Sequence, residues 1–387
     1  MPRQCPHDPP ARLGELRAET PVTRIRNWDG STPWLITGYE LARAALANPA
    51  LSSNPANAGY PPVGPGDVVR PGDAQAPGLL LVMDGAEHAA LRRRLIGEFT
   101  VRRIEALRPR VEQVVTTLLD AIADGPKPVD LVSALALPLP SLVISELLGV
   151  PYADHDFFQE QSAKALDTQA GADQTQRALG QLVGYLQELV ASKQTSPGDD
   201  LLSRLLATGE LPPHEVAGVG TLLLVAGHET TANQIALGVL TLLRHPDRAG
   251  ELRAGGDPKA AVEELLRLLT ITQSGARRVA VEDVRIGDVL IKAGDGVIIA
   301  THAANRDPAV FDHPDDYDPS RGVNRHITFG FGPHQCLGQP LARLELQVLH
   351  PALLRRFPAM RLALDPAELS YRDTMPMYGL NALPVIW

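Results

Sequence analysis

The chain has 387 residues, a formal net charge of -9 and 44% hydrophobic residues. This composition is that of a globular protein with a large core, and the negative charge argues against nucleic acid as a partner. The two cysteines, Cys5 and Cys336, exclude a disulfide framework and indicate a reducing compartment. Residues 1–17 are polar and no apolar run reaches membrane-spanning length, so we expect a cytoplasmic protein without a membrane anchor.

The N-terminal part predicts helices packed on a small antiparallel sheet. The expected elements are helices at 11–19 and 39–47 and short strands at 23–26 and 34–37. Asp29-Gly30 between the two strands is a hairpin signal. Residues 54–75 are rich in proline, glycine and asparagine, and a loop of this length is usually functional or disordered.

Residues 84–99 predict a helix with two cationic side chains on one face. Asp84 is placed to cap this helix, and His88 and Arg92 lie one turn apart. Such a pair suits an anionic group such as a carboxylate, although it is also common on a solvated face. A cluster of further arginines would attract an acidic partner or serve only solubility: Arg93, Arg94, Arg102 and Arg103.

From 101 to 206 the sequence is mostly helical. Residues 131–148 are strongly apolar and are expected to form a buried wall. Residues 154–194 contain two helical runs joined by the polar segment 167–173.

Residues 215–243 are apolar nearly all round, which indicates a helix buried through the centre of the protein. The polar patch Ala226-Gly227-His228-Glu229-Thr230-Thr231 interrupts it, and buried polar groups without partners are costly. We expect Thr230 to bond back to the carbonyl of Ala226 and to open a groove beside Gly227, with a self-satisfied kink as the alternative. A metalloprotease site is excluded, because Ala232 stands where such a helix requires histidine.

Residues 261–269 predict an amphipathic helix with Glu264 and Arg267 three apart. An exposed pair of this kind contributes only about 0.2–0.5 kcal/mol, whereas losing one partner of a buried pair costs about 3–5 kcal/mol. Short strands are expected after Arg277 and Arg278, at 284–286, 289–291 and 297–299, and residues 311–326 are aperiodic.

Residues 329–340 form a glycine-rich loop that carries Cys336 into the start of an apolar helix. Its glycines remove side chains where the backbone bends or lies close to something flat. The unpaired N–H groups at the helix N-terminus favour a thiolate, which is either a nucleophile or a metal ligand. An inert buried cysteine beside a turn is the structural alternative.

The loop resembles the Phe-Gly-x-Gly-x-His/Arg-x-Cys-x-Gly signature of the cytochrome P450 family of haem-thiolate monooxygenases, and the resemblance covers nearly the whole chain. It implies a mainly α fold with small β-sheets, in which residues 1–387 form one domain. It also implies haem b (iron protoporphyrin IX), with Cys336 as the axial thiolate ligand of the iron.

The resemblance also implies roles for individual residues. Those that bind the cofactor would be His88, Arg92, Ala226, Arg278, Phe329, His334, Cys336 and Gly338, with Arg277 as a rival to Arg278. Glu229 and Thr230 match the catalytic acid–alcohol pair, in which Thr230 orders dioxygen and its water and Glu229 connects the site to solvent protons. Glu264 and Arg267 would be a buried pair completed by Arg321.

Further segments acquire functions from the same resemblance. The 54–75 loop would cover the substrate, 154–194 would form a mobile lid, and 375–380 would be a hairpin tip that re-enters the pocket. Pro351 departs from the expected pattern, because it should kink the final helix.

The implied reaction is hydroxylation or epoxidation of an apolar organic small molecule, a secondary metabolite or xenobiotic. We expect no fused reductase, and Gln335 removes the last glycine of a dinucleotide fingerprint from the cysteine loop. Electrons would therefore come from a separate ferredoxin served by an NAD(P)H-dependent reductase, and we expect a monomer.

Two alternatives remain open at this stage. One is a haem-thiolate enzyme with peroxygenase, coupling or rearrangement chemistry, which would not need the proton relay of the acid–alcohol pair. The other is a cysteine-nucleophile hydrolase with His334 as its base, or a ligand-binding protein without turnover. A visible spectrum separates the two, since the second would remain colourless.

Overall fold

The computed structural model describes Arg3 and residues 8–64, 78–167, 171–373 and 375–387. Cys5, residues 65–75 of the proline-rich loop and the middle of segment 167–173 lie outside the described residues. No helix in the described part of the chain is long and apolar enough to span a bilayer.

The described residues are mainly helical, as expected. The helices are α1 Ala11–Glu19, α2 Tyr39–Ala47, α3 Gly85–Ile96, α4 Val101–Glu105, α5 Arg108–Asp124, α6 Pro138–Leu148, α7 His155–Leu166, α8 Ala172–Thr195, α9 Leu201–Thr208, α10 Pro213–Arg244, α11 Pro246–Arg253, α12 Pro258–Leu269, α13 Thr301–Ala304 and α14 Gln339–Arg356. A π-helical turn, Val132–Ala136, precedes α6.

The strands form three small sheets. They are β1 Val22–Arg24, β2 Trp34–Ile36, β3 Leu51–Ser52, β4 Val129–Asp130, β5 Ala276–Ala280, β6 Val284–Ile286, β7 Val289–Ile291, β8 Gly296–Ile299, β9 Arg361–Leu362 and β10 Pro384–Ile386. The largest sheet has the order β1-β2-β8-β5-β3, in which only β2 and β8 are parallel. The other sheets are β4-β10-β9 and β6-β7.

Strand β5 was not among the predicted strands, although it carries both candidate arginines. It pairs with β8 on one side and with β3 on the other. Successive side chains of a strand point to opposite faces, so Arg277 and Arg278 diverge.

Helix α10 lies at the centre of the molecule, as its apolar composition predicted. It packs against α6, α8, α9, α12 and α14 and is buried along most of its length. This helix therefore holds its polar patch at a fixed position inside the core.

Helix α12 is tied to the aperiodic segment before the cysteine loop by a buried ion-pair cluster. Both oxygens of Glu264 accept hydrogen bonds from Arg267 at 2.7 Å, and Glu264 also accepts from Nε of Arg321 at 2.8 Å. The side chains of Arg267 and Glu264 are 0% and 1% exposed. The predicted trio is thus assembled, and it holds the segment that leads into the loop.

Helix α14 runs without a break from Gln339 to Arg356 and includes Pro351. Pro351 therefore does not end the helix, and the kink expected there stays a prediction. Proline removes a single backbone hydrogen bond, and the buried face of α14 continues on both sides of it.

Candidate active site

The loop that carries Cys336 is a tight turn held by its own backbone. The N–H of Cys336 donates to the carbonyl of Phe329 at 2.8 Å. Gly330 and Gly332 have φ angles of 74° and 75°, a left-handed conformation that favours glycine. A Cβ on Gly332 would also lie 2.9 Å from the Cα of Ala47. The loop therefore requires glycine at these positions and places Cys336 just before α14.

The Cys336 side chain is accessible to solvent, although its sulfur lies deep within the protein. Burial raises the pKa of Cys336, while the N–H groups of Gly338 and Gln339 and the charge of Arg92 act in the opposite direction. The N–H groups at the helix N-terminus thus lower the pKa of Cys336 as expected, but burial raises it by more. A bound metal cation would reverse this balance, because a thiol that coordinates a metal ion is deprotonated.

Two histidines from distant parts of the chain lie against each other beside this loop. The ring centroids of His88 and His334 are 4.2 Å apart. Nε2 of His334 lies 3.1 Å from the hydroxyl of Ser53 and 3.5 Å from the carboxylate of Asp84. Asp84 occupies the N-cap position of α3, but its carboxylate accepts from Ser52 and Ser53 and makes no capping hydrogen bond. The expected cap is therefore replaced by a contact that orients His334.

His88 is buried, and its Nε2 has no hydrogen-bond partner among the described residues. Burial, followed by the charges of His334 and Arg92, lowers the pKa of His88 to about 4. A buried ring nitrogen without a partner is uncommon in a folded protein, so this position can bind a further polar group.

Two arginines contribute to the same positive region. Nη2 of Arg92 donates to the carbonyl of Gln335 at 2.6 Å, which brings α3 against the cysteine loop. Arg278 is 8% exposed and donates to the carbonyl of Arg277 at 2.6 Å. Among the described residues Arg278 forms no ion pair, although the charge of Asp84 acts on it. The charge of Arg278 acts on His88, whereas Arg277 is directed towards Pro61.

The central helix α10 is accessible to solvent around its polar patch. Ala226 is exposed and Leu222, Val225, Gly227 and Thr230 are partly exposed, although most residues of α10 are buried. The hydroxyl of Thr230 donates to the carbonyl of Ala226 at 2.6 Å, as predicted. The groove expected beside Gly227 stays a prediction, since Gly227 is partly exposed while a Cβ on it would lie 3.2 Å from the side chain of Ile144 on α6. The open side of α10 is the one that Ala226 and Thr230 share.

Glu229 is buried and forms an ion pair that sequence reasoning missed. Its carboxylate accepts from Nη1 of Arg372 at 2.7 Å, and its backbone carbonyl accepts from Nδ2 of Asn233 at 2.8 Å. Arg372 is 143 positions further along the chain, and no local pattern in the sequence connects it to α10.

These features fit a flat anionic cofactor that contains a metal ion. An exposed thiol can bind the metal, and the exposed Ala226 leaves room for a planar group beside α10. The buried His88 and Arg278, together with Arg92 and His334, can bind its carboxylates. Haem has these properties: an iron, a planar ring and two propionates.

A second ion-pair group supports the loop from the surface side. Glu263 of α12 accepts from Arg343 at 2.6 and 2.9 Å and lies 3.0 Å from Nε2 of His326. Although burial favours the neutral acid, the hydrogen bonds from His326 and Arg343 lower the pKa of Glu263 to about 2. The guanidinium of Arg343 also lies over the ring of Phe329, 4.6 Å from its centroid. The first residue of the cysteine loop is thereby fixed to both α12 and α14.

Comparisons with known proteins agree on one family. Residues 259–373 match the family model described as Cytochrome P450. Cytochrome P450-SU2 of Streptomyces griseolus is 47% identical over 99% of this chain and 94% of its own length. The 20-oxo-5-O-mycaminosyltylactone 23-monooxygenase of Streptomyces fradiae is 43% identical over 100% of this chain and 91% of its own.

Solved structures show the same relationship. The mycinamicin VIII C21 methyl hydroxylase MycCI from Micromonospora griseorubida has a TM-score of 0.93 and 42% identity, with 100% of this chain and 99% of that one covered. Its structure was determined with mycinamicin VIII bound. The chain described here therefore belongs to the cytochrome P450 family of haem-containing monooxygenases.

Proposed function

We propose that this chain hydroxylates or epoxidises an apolar organic small molecule, a secondary metabolite or xenobiotic, with O2 and electrons from a ferredoxin. The observation that carries the proposal is an exposed thiol, Cys336, close to the buried Arg278 and to the buried His88, whose Nε2 has no hydrogen-bond partner among the described residues. The relatives named above as a monooxygenase and a methyl hydroxylase support this class of reaction. We further propose that residues 1–387 act as one cytoplasmic, monomeric domain.

The proposed cofactor is haem b, which when bound supplies the dioxygen chemistry at its iron. Cys336 would be the thiolate ligand, and the N–H groups that follow it, including that of Gly338, would stabilise the sulfur. His88, Arg92, Arg278 and His334 would bind the propionates.

The remaining site residues would shape and serve the reacting side. Ala226 would contact the flat face of the cofactor, since a larger side chain there would occupy the same space. Phe329 would cover the thiolate side, where Arg343 fixes its ring. The hydroxyl of Thr230, now bonded to a helix carbonyl, would donate to water on the open side, and Glu229 would supply protons to it.

A ferredoxin would dock beside α3 and α4. Among the described residues, the exposed Arg93 and Arg102 have no carboxylate partner, whereas Arg94 and Arg103 pair with Glu210 and Glu98 at 3.1 and 3.2 Å. The adjacent Arg92 contacts the cysteine loop, so an acidic protein bound at this surface would be close to Cys336. Charge reversal at Arg93 and Arg102 should slow reduction by the ferredoxin, and this effect should fade at high salt.

The reaction is tested by labelling. Candidate substrates are first selected by the shift that they cause in the haem absorption spectrum. The selected compound is then incubated with the protein, NAD(P)H, ferredoxin, reductase and isotopically labelled dioxygen. We expect one labelled oxygen atom per product molecule. Product that forms only with added hydrogen peroxide, or that carries no label from dioxygen, would contradict the proposal and favour peroxygenase or rearrangement chemistry.

A further inference from the structure

A network of hydrogen bonds joins three distant segments of the chain beside the cysteine loop. Ser52 and Ser53 lie at the end of β3, Asp84 precedes α3, and His334 belongs to the cysteine loop. Ser52 and Ser53 are 4% and 2% exposed, and the side chain of His334 is 13% exposed. The network therefore lies largely inside the protein, next to the neighbouring rings of His88 and His334.

The carboxylate of Asp84 is the acceptor at the centre of this network. It accepts from the hydroxyl of Ser52 and, at 3.0 Å, from the N–H of Ser53, and its Oδ1 lies 3.5 Å from Nε2 of His334. Although burial favours the neutral acid, the hydrogen bonds from His334, Ser52 and Ser53 lower the pKa of Asp84 below its usual range. Asp84 is therefore an anion at neutral pH and acts only as an acceptor.

Asp84 makes these contacts in place of a helix cap. An aspartate at an N-cap normally accepts from the first N–H groups of its helix, a bond that stabilises the helix. Asp84 makes no such bond, and the chain turns directly after it, since Gly85 has a φ angle of 58°. The carboxylate thus serves His334 at the expense of the cap of α3.

The hydroxyl of Ser52 fixes the carboxylate from the other side. Its oxygen accepts from the N–H of Asn54 at 3.0 Å and from Nδ2 of Asn57 at 2.8 Å. Because a hydroxyl has a single hydrogen, that hydrogen remains for the bond to Asp84. The position of Asp84 is therefore set by donors from β3 and from the residues that follow it.

Ser53 completes the surroundings of His334. Its hydroxyl lies 3.1 Å from the same ring nitrogen, Nε2, that faces Asp84. A carboxylate can only accept, so Asp84 favours the forms of His334 that carry a hydrogen on Nε2. Two polar groups beside one ring nitrogen hold the imidazole in place, with its centroid 4.2 Å from that of His88.

We propose that Asp84 and Ser53 are positioning residues that hold His334 in the orientation in which its ring binds a carboxylate of the cofactor. The inference rests on the proposed function, which assigns His334 to a haem propionate, and adds to it the residues that keep this contact in place. In this role neither Asp84 nor Ser53 touches the cofactor, and both act through His334.

This positioning has two measurable consequences. A ring that is already held in place loses little conformational freedom when it binds a propionate, so the cofactor dissociates slowly. A hydrogen bond to a propionate also offsets negative charge near the iron, which favours the reduced state and raises the reduction potential. Loss of Asp84 or Ser53 should therefore speed haem loss, and Ser53→Ala, which changes no charge, should lower the potential.

The first test measures the transfer of haem from the ferric holoprotein to an excess of apomyoglobin, which requires no turnover. We expect His334→Gln to speed the transfer roughly tenfold, and Asp84→Asn and Ser53→Ala to speed it roughly threefold to tenfold, the range of one hydrogen bond. Asp29→Asn is the matched control and should equal wild type. Asp29 likewise accepts from the N–H and the hydroxyl of a serine, Ser31, at 3.1 and 2.6 Å, but in an exposed turn.

A double-mutant cycle separates positioning from general support of the fold. If Asp84 acts only through His334, the protein with both Asp84→Asn and His334→Gln should lose haem no faster than His334→Gln alone. The same should hold for Ser53→Ala combined with His334→Gln. Additive effects would contradict the inference, because they would show that Asp84 and Ser53 retain the cofactor by another route.

The reduction potential of the haem supplies a readout that a packing role would not change. Ser53→Ala should lower the potential in the wild-type protein and leave it unchanged in the His334→Gln protein. Equal potentials for Ser53→Ala and wild type would overturn the inference. A misfolded Asp84→Asn leaves the decision to Ser53→Ala, which removes a single hydroxyl.

The same variants distinguish failure of this inference from failure of the proposed function. If His334→Gln alone changes haem transfer and potential, while Asp84→Asn and Ser53→Ala match wild type, the inference is wrong and the propionate role of His334 survives. If His334→Gln itself matches wild type in both measurements, that role fails as well.

Discussion

Replacing the buried Glu264 with alanine should destabilise the protein more than replacing a carboxylate on the surface or in a loop. The carboxylate of Glu264 binds two arginines, Arg267 at 0% and Arg321 at 12% side-chain exposure. It also accepts from the N–H of Asp318 and from the side chain of Asn324, both at 3.0 Å. Without Glu264, both guanidinium groups stay buried with no balancing negative charge.

The expected loss follows from this burial. Removing one partner of a buried ion pair costs about 3–5 kcal/mol, a large part of the ~5–15 kcal/mol that stabilises a folded protein. Unfolding entropy of about 2.1 cal/mol/K per residue gives roughly 0.8 kcal/mol/K for 387 residues. The melting temperature should therefore fall by about 4–6 °C. Haem should be lost as well, since Arg321 holds the segment before the cysteine loop.

The assay is urea denaturation followed by circular dichroism, together with the haem-to-protein absorbance ratio. Glu251→Ala is the control, because Glu251 forms an exposed pair with Arg248 at 3.1 Å and should change the free energy of unfolding by no more than about 0.5 kcal/mol. A Glu264→Ala protein that retains haem and lies within about 1 kcal/mol of wild type would refute the buried-pair argument.

Two further predictions concern α10 and α14. Thr230→Ala should still bind haem and substrate but should divert reducing equivalents to hydrogen peroxide, because it removes the hydroxyl on the open side; an unchanged product yield per NAD(P)H would contradict this role. Glu345 is buried with one oxygen unpartnered among the described residues, and burial raises its pKa to about 8. Between about pH 4 and pH 8 the folded protein keeps the Glu345 carboxyl protonated, whereas the unfolded chain has released that proton. The free energy of unfolding therefore falls as the pH rises through this range. Glu345→Gln should therefore raise the melting temperature at pH 8 and change it little at pH 5; equal effects at both values would show that Glu345 does not titrate.

Local patterns were sufficient to predict much of the fold. Helices α1 and α2 have the predicted bounds, because their composition and period are local properties of the sequence. The cysteine loop was recognisable for the same reason, since its glycines and Cys336 lie within one short segment. The ion pair of Glu264 with Arg321 required the family resemblance, because its partners are far apart in sequence.

The missed features depend on contacts between distant segments. Strand β5 contains two charged residues and is defined by its pairing with β3 and β8, which no local period reports. Asp84 was expected to cap α3, but tertiary contacts with Ser53 and His334 use its carboxylate instead. The ion pair between Arg372 and Glu229 joins a hairpin to the central helix, and only the folded chain brings them together.

The central claim is that the sulfur of Cys336 binds the haem iron. The most direct measurement is the absorption spectrum of the reduced, carbon monoxide-treated protein, compared with Cys336→Ser and with Cys5→Ser as the matched control. Wild type and Cys5→Ser should both show the long-wavelength Soret band that thiolate-ligated haem produces, and Cys336→Ser should lose it. Persistence of that band in Cys336→Ser, or its absence from the wild-type protein, would contradict the account.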